Sequence, residues 1–179
     1  TGKAAVVNVT SGPGGINALN GVFGAFVDSV SMVIVSGQSR TETIAALHNE
    51  SLRQLGDQEA NMFSITRSVV KYFAMPQNKY ESLSAIDKAL LMLEEGRPGP
   101  IWIDIPINVQ GVALTPTEIE NSSTYSVKPV LEAIHPNTKD NSPNTTTIKD
   151  NVKQTIDLLS LSKRPVFFGG NGISLSGQR

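Results

Sequence analysis

The chain has 179 residues, of which 39% are hydrophobic and 17% charged, enough for one domain and part of a second if domains run to roughly 150 residues. Its 15 basic and 16 acidic residues leave a net charge of −1, so nucleic acid is not an expected partner, because proteins that bind it usually carry a basic face. The lack of cysteine excludes disulfides and cysteine-based catalysis or metal binding, and it fits a cytoplasmic location. No apolar run approaches the roughly 18 residues of a membrane span, so no membrane contact is expected.

The first part of the chain alternates short apolar strands with helical patterns. Residues 4–9 and 32–35 are predicted strands, the second ended by Gly37. Between them, residues 16–27 repeat apolar side chains at the spacing of one helix face. Residues 41–60 are polar and compatible with a helix. This order predicts a strand, a helix and a strand, followed by a polar helical segment.

Two further strands and a helix complete the pattern. Residues 69–75 are a predicted strand, residues 82–95 carry an apolar helical stripe stopped by Gly96, and "PIWIDIP" (100–106) is a fourth strand. Almost wholly apolar strands that alternate with helices indicate a parallel sheet covered on both faces. We therefore predict an α/β fold with a doubly wound, mostly parallel sheet.

The rest of the chain changes character twice. Residues 111–147 are rich in Pro, Asn, Ser and Thr and lack periodicity, which predicts a linker along the surface. Residues 148–161 have the pattern of an amphipathic helix, and "RPVFFGGNG" (164–172) indicates a strand that enters a glycine turn. These elements predict the first unit of a second α/β domain.

The segment "TSGPGGIN" (10–17) is the most informative turn, because it joins the first strand to the first helix. In a parallel sheet, ligands bind at the carboxyl ends of the strands, where this turn falls. A dinucleotide site is not supported, since the final glycine of G-x-G-x-x-G is missing, and no Gly-Lys-Ser/Thr follows to make a P-loop. Two interpretations stay open: tight packing of the turn, or access of a flat or charged ligand to the main chain.

Several motifs in order give this turn a context. "TSGPGGIN", "DS" at 28–29, a strand ending in "GQ" at 37–38 and "GRPGPIWIDIP" at 96–106 resemble thiamine-diphosphate-dependent enzymes of the acetolactate synthase type. The resemblance runs from residue 1 to about residue 110. It implies a pyrimidine-binding domain at 1–110 whose start is missing, a linker at 111–147 and a truncated central domain at 148–179.

The resemblance also implies roles for the turn residues. In this family the turn lies beside the aminopyrimidine ring of the cofactor, where two chains meet. Gly12 and Gly14 would let the main chain touch the flat ring, because neither has a Cβ, and Pro13 would stiffen the turn. Asn17 would hold the loop or face the ring, and its alternative is a helix-start residue that binds local main chain.

A second segment, "LGDQE" (55–59), is similar to a family segment that ends in F-Q-E. This similarity makes Gln58 the candidate for the substrate side of the site, and a solvated polar turn is the alternative. Two positions depart from the synthases: Asp57 replaces the phenylalanine, and Ile107 replaces the lysine of D-x-P-K-D. A pocket that gains a carboxylate and loses a cation should treat anionic keto acids differently, so the acceptor substrate stays open.

The implied cofactors are thiamine diphosphate and Mg²⁺, with FAD as a further candidate. The implied activity is that of a 2-keto acid decarboxylase/carboligase (a lyase or transferase), acting as a homodimer or homotetramer. We expect the catalytic glutamate before residue 1 and the G-D-G…N metal segment beyond residue 179, so the chain alone should be inactive. The alternatives are an oxidase, a simple decarboxylase or a C–C hydrolase of the same family, or a truncated binding or assembly module.

Four other residues are weaker candidates. His48 and His135 are far apart without the spacing of a metal pair, so no metal site is predicted and both are expected at the surface. Arg97 is predicted to pin the turn before the last strand. Lys71 is predicted to be either interfacial or solvated.

Overall fold

The computed structural model describes residues 3–48, 51–122, 125, 131–135 and 145–177. The chain divides into two compact units, Thr1–Lys139 and Asp140–Arg179. The first unit contains the sheet and the motifs discussed above, so the two units are described separately.

The first unit is built on a five-stranded sheet in the order β1-β2-β4-β3-β5. The strands are β1 (Ala5–Val9), β2 (Met32–Gln38), β3 (Tyr72–Met75), β4 (Pro100–Pro106) and β5 (Leu131–Ile134). β1 pairs with β2, β2 with β4 and β4 with β3 in parallel, whereas β5 runs antiparallel to β3. This confirms the predicted α/β fold with a mostly parallel sheet.

Helices cover both faces of this sheet. The α-helices among the described residues are α1 (Pro13–Asp28), α2 (Met62–Thr66), α3 (Lys79–Glu94), α4 (Ile107–Gln110), α5 (Pro116–Glu120), α6 (Thr145–Leu161) and α7 (Gly172–Leu175). On one face, Val22 of α1 and Met62 of α2 pack with Trp102 of β4. On the other face, Ala85 and Ala89 of α3 pack against β3 and β4. The doubly wound arrangement is therefore confirmed.

Two local predictions are wrong. Among the described residues, 41–60 contain two single-turn 3₁₀ helices, Thr41–Thr43 and Ala45–Leu47, rather than one long helix. "RPVFFGGNG" does not pair as a strand within the described part of the second unit, and Phe167 and Phe168 are exposed. A β-strand needs a neighbour for its main-chain groups, and the described residues of the second unit form the helices α6 and α7.

The segment expected to be a linker supplies β5. Glu132 of this strand is 5% exposed at its side chain, and its Oε1 accepts hydrogen bonds from the Tyr72 hydroxyl (2.9 Å) and the Lys88 ammonium (2.6 Å). Burial, reinforced by the Glu132 carboxylate, raises the pKa of Tyr72. These contacts fix β5 on the edge of the sheet beside β3.

Lys71 lies just before β3 and is neither interfacial nor solvated, because it is buried. Its ammonium donates hydrogen bonds to the main-chain carbonyls of Met92 and Glu95 at the end of α3. Burial lowers the pKa of Lys71, and Glu95 partly opposes that shift. Lys71 therefore binds the otherwise unpaired carbonyls of a helix C-terminus.

Lys71→Met should lower the free energy of unfolding by about 1–2 kcal/mol, because it keeps the buried stem but leaves two carbonyls without a donor. Urea denaturation followed by circular dichroism measures the change. Lys149→Met on the exposed α6 is the control and should stay within about 0.5 kcal/mol of the parent. Equal midpoints for the two variants would refute the role given to Lys71.

No helix among the described residues is long and apolar enough to cross a membrane.

Candidate functional site

A cleft lies at the carboxyl ends of β1, β2 and β4. Its volume is about 540 Å³. The polar side chains on its wall come from three stretches of chain. They are Asn8, Thr10, Ser11, Ser36, Gln38 and Gln110. Ile105 and Ile107 add apolar surface, and Ile107 is 58% exposed.

The lining of this cleft is neutral. None of the lining residues that the structure describes carries a charge; they offer hydroxyls, amides, main-chain groups and aliphatic carbon. Such a wall suits an uncharged ligand with hydrogen-bonding edges and flat apolar faces. It offers no cation to hold a phosphate.

A buried hydrogen-bond network supports the cleft from below. Ser36 faces Asp104 across the β2–β4 pairing, and its hydroxyl donates to Asp104 Oδ1 at 2.5 Å. Gln38 Nε2 donates to Asp104 Oδ2 at 2.8 Å, and Trp102 Nε1 donates to the Ser36 hydroxyl at 2.7 Å. All four side chains are buried. The network fixes the two lining residues, Ser36 and Gln38, through Asp104.

The burial of Asp104 determines the pH at which this network becomes charged. Because Asp104 is fully buried, its pKa rises to about 7, although the hydrogen bonds from Ser36 and Gln38 oppose the shift. The carboxyl of Asp104 therefore gains its charge near neutral pH, directly beneath a cleft without charged side chains.

Packing within the chain requires glycine at two positions of the turn. Gly12 has a φ of +52°, and a Cβ there would lie 2.1 Å from the main-chain oxygen of Gln58. A Cβ on Gly14 would lie 2.6 Å from Thr10 Cγ2. Both contacts support the tight-packing interpretation, whereas access of a flat ring to the main chain stays a prediction.

Two other turn residues stand at the start of α1. Pro13 is its first residue and is exposed, as its fixed φ allows. Asn17 is exposed and lies one turn into the helix, whose N-cap is Gly12. The helix-start alternative for Asn17 is therefore wrong.

The structure brings Gln58 to this same turn, since its carbonyl fills the space beside Gly12. Gln58 is exposed and has a φ of 53°, a left-handed conformation that side chains rarely adopt. Its neighbour Asp57 is also exposed, and the Asp57 carbonyl accepts a hydrogen bond from the Ser39 hydroxyl at 2.9 Å. Two motifs that are distant in sequence thus meet at Gly12, the residue after Ser11 of the cleft wall.

The family comparison matches the residues that build this edge. Residues 1–61 match the family described as "Thiamine pyrophosphate enzyme, N-terminal TPP binding domain". The matched region contains β1, the turn, β2 and Gln58. Over this region the chain is similar to the thiamine pyrophosphate enzymes.

Within these enzymes the chain is acetolactate synthase-like. It is 33% identical over 177 residues to the acetolactate synthase isozyme 3 large subunit of Escherichia coli, covering 99% of this chain and 27% of that protein. It is 33% identical over 174 residues to the mitochondrial acetolactate synthase of Schizosaccharomyces pombe, covering 97% of this chain and 24% of that protein. The acetolactate synthase large subunit of Lactococcus lactis is 32% identical over 177 residues, which cover 99% of this chain and 27% of that protein. The chain spans about a quarter of the length of these acetolactate synthases.

Three structural residues of this chain are not predicted from the sequence. No role is predicted for Asp104, although a carboxylate inside an apolar strand is a signal of a buried polar site. Ser36 has no such signal, because its role depends on the pairing of β2 with β4. A Cβ on Gly15 would lie 3.1 Å from Met62 and 3.3 Å from Trp102, so this glycine lets α1 pack closely on the sheet.

The structure also shows the contacts of the weaker candidates Arg97, His48 and His135. Arg97 donates from Nε to the Ser29 hydroxyl at 2.7 Å, which confirms that it pins the turn before β4. His48 is exposed as expected, and its Nε2 lies 3.1 Å from the carbonyl of Thr41. His135 is half-buried, with its ring 5.1 Å from that of Phe26. Within the described ranges, no three His, Asp or Glu side chains lie close enough together to hold a metal ion.

Gln58→Gly is expected to raise the free energy of unfolding by up to about 1 kcal/mol, because glycine adopts the left-handed conformation without the cost that a Cβ imposes. Thermal and urea denaturation measure the effect. Gln58→Ala is the matched control: it removes the same exposed side chain but keeps the Cβ, so it should bring no gain. A Gln58→Gly variant less stable than Gln58→Ala would contradict the conformation described here.

Proposed function

We propose that this chain forms the wall of a thiamine diphosphate site that receives the aminopyrimidine ring, in an acetolactate synthase-like 2-keto acid decarboxylase/carboligase. One observation carries the proposal. The neutral cleft of about 540 Å³ opens at the carboxyl edge of the sheet, on residues that include Thr10 and Ser11 of the turn in the family-matched region.

The chemistry of the cleft fits one part of this cofactor and not the other. An aminopyrimidine is flat and uncharged and has donors and acceptors at its edge, which matches the hydroxyl, amide and aliphatic lining. A diphosphate with Mg²⁺ is held by cations and by one or two carboxylates, and the described lining supplies neither. We therefore assign the diphosphate and Mg²⁺ to other parts of the protein, and the same holds for FAD if it is bound.

When bound, thiamine diphosphate supplies the carbon nucleophile that adds to a 2-keto acid and lets carbon dioxide leave. The residues of this chain bind and orient the ring. Gln38 uses its amide to donate to Asp104 Oδ2 and to the Ala60 carbonyl, and its own oxygen accepts from the Ser39 N–H at 2.9 Å. A side chain engaged on all sides keeps one orientation, so it presents a rigid surface to the ring.

The lining leaves proton transfer to other groups. The described wall contains neither a carboxylate nor an imidazole, and Asp104 lies beneath it with both oxygens hydrogen-bonded. In this proposal Gln58 faces the 2-keto acid from the rim, and Ile107 gives that side of the cleft an apolar surface. An apolar residue there favours an acceptor with an apolar substituent.

We also propose that the protein works as a homodimer or homotetramer. α1 carries Ile16, Phe23 and Val27, each 45–54% exposed, at the spacing of one helix face. Exposed apolar side chains grouped on one helix support a contact with a second subunit.

The test is an assay of the protein that carries this chain together with the rest of the relatives' length. With pyruvate, thiamine diphosphate and Mg²⁺ we expect carbon dioxide and a carboligation product, both lost without the cofactor. Carbon dioxide without a carboligation product would indicate a simple decarboxylase instead. The chain alone should give no turnover. Activity that does not depend on thiamine diphosphate would contradict the proposal.

A further inference from the structure

Glu59 organises the loop between β2 and α2. Its Oε1 accepts a hydrogen bond from the main-chain N–H of Ala45 at 2.8 Å. Its Oε2 accepts from the main-chain N–H groups of Leu55 (2.8 Å) and Gly56 (3.1 Å). One carboxylate therefore ties together two stretches of the loop that are ten residues apart in sequence.

These bonds explain why residues 41–60 do not form the predicted helix. The N–H groups that Glu59 binds would be needed for helical hydrogen bonds, and a carboxylate binds them more strongly than a neutral carbonyl does. The Ser39 hydroxyl holds the Asp57 carbonyl from the other side. The loop thus keeps a fixed shape that depends on side chains.

The loop's shape determines where Gln58 lies. Gln58 directly precedes Glu59, has a left-handed main chain, and rests its carbonyl against Gly12. Ala60 on the far side is held by Gln38 through a hydrogen bond of 2.9 Å. The strained residue is thus held between two anchored neighbours, a pattern typical of residues positioned for function.

We propose that Glu59 is a positioning residue, which holds Gln58 at the rim of the cleft by binding the main chain of the loop. The inference rests on the proposed function, in which Gln58 faces the 2-keto acid. It adds that Glu59 acts on the substrate step only through Gln58. The bonds that Asp104 makes with Ser36 and Gln38 in the cofactor wall stay in place when Glu59 is replaced.

The geometry requires a carboxylate at this position. A glutamine in place of Glu59 has one acceptor oxygen, and its NH₂ group would point at a main-chain N–H. Glu59→Gln therefore keeps the size of the side chain but loses at least one of the bonds. Glu42→Gln is the matched control, because Glu42 lies in the same loop and forms an exposed ion pair with Arg40 at 3.7 Å.

The first measurement is amide hydrogen exchange of the chain by NMR. Glu59→Gln should speed exchange at Ala45, Leu55 and Gly56 by tenfold or more, and Glu42→Gln should not. Unchanged exchange in Glu59→Gln would overturn the proposal whether or not the protein is a decarboxylase.

The second measurement is a double-mutant cycle on the complete protein with pyruvate as substrate. We expect Glu59→Gln and Gln58→Ala each to lower kcat/KM by about tenfold, with the Kd of thiamine diphosphate changed less than twofold. The double variant should be no worse than either single variant. If the double variant loses kcat/KM by the product of the two single losses, Glu59 acts independently of Gln58 and the proposal is overturned.

The two measurements separate this inference from the proposed function. If Gln58→Ala leaves kcat/KM unchanged while exchange still depends on Glu59, the substrate-side role of Gln58 fails, and with it the catalytic part of the inference. If Gln58→Ala lowers kcat/KM and Glu59→Gln does not, the proposed function stands and the positioning role is wrong.

Discussion

Gly12→Ala should lower the free energy of unfolding by about 3 kcal/mol, one of the two largest effects expected for this chain. A left-handed φ of +52° costs a side chain about 1 kcal/mol or more. The new Cβ would also lie 2.1 Å from the main-chain oxygen of Gln58, so the loop must move at a further cost of about 1–3 kcal/mol. Urea denaturation of the chain without any ligand measures the sum.

Gly21→Ala is the control, because Gly21 lies in the middle of α1 and a Cβ there meets nothing within 4 Å. It should stabilise the chain by about 0.5–1 kcal/mol. The two variants also distinguish tight packing of the turn from access of a flat ring to its main chain. If Gly12 were bare only to admit a ring, Gly12→Ala would weaken ligand binding but leave the unfolding midpoint unchanged.

The second large effect concerns pH. The ordinary pKa of an aspartate is 3.8, and burial raises that of Asp104 to about 7 in the folded chain. Between these values the folded chain holds a proton that the unfolded chain has released, so stability falls as pH rises. The slope should reach about 1.4 kcal/mol per pH unit, and the total loss from pH 4 to pH 8 about 3–4 kcal/mol.

Asp104→Asn should remove this slope, because an amide does not titrate. Urea denaturation of both proteins at several pH values gives the difference, in which the other titrating groups cancel. Glu118 is one of them: hydrogen bonds from Lys79 and Thr115 hold its pKa down at about 2, so it acts mainly in more acidic solution. Parallel stability curves for the two proteins between pH 4 and pH 8 would contradict the raised pKa of Asp104.

The sequence was sufficient for features that depend on neighbours in the chain. Apolar runs such as residues 32–38 and 100–106 predict buried strands, and glycine and proline mark where elements end. The alternation of strands and helices then limits the topology to a parallel, doubly wound sheet. The turn at Gly12 could be placed at the carboxyl edge for the same reason.

Features that depend on distant contacts could not be predicted. β5 lies in a polar segment and is fixed through Glu132 to side chains of β3 and α3. The shape of the loop before α2 depends on hydrogen bonds from main-chain N–H groups to the Glu59 carboxylate. No periodicity in the sequence indicates such bonds. The network beneath the cleft exists only because the register places Ser36 opposite Asp104.

The most direct test of the central claim is a crystal structure of the complete protein with thiamine diphosphate bound. We expect the aminopyrimidine ring in the cleft at the ends of β1, β2 and β4, in van der Waals contact with Ser11 or with the wall formed by Ser36 and Gln38. The diphosphate should lie outside this neutral wall. A ring bound away from the cleft would contradict the function proposed for this chain.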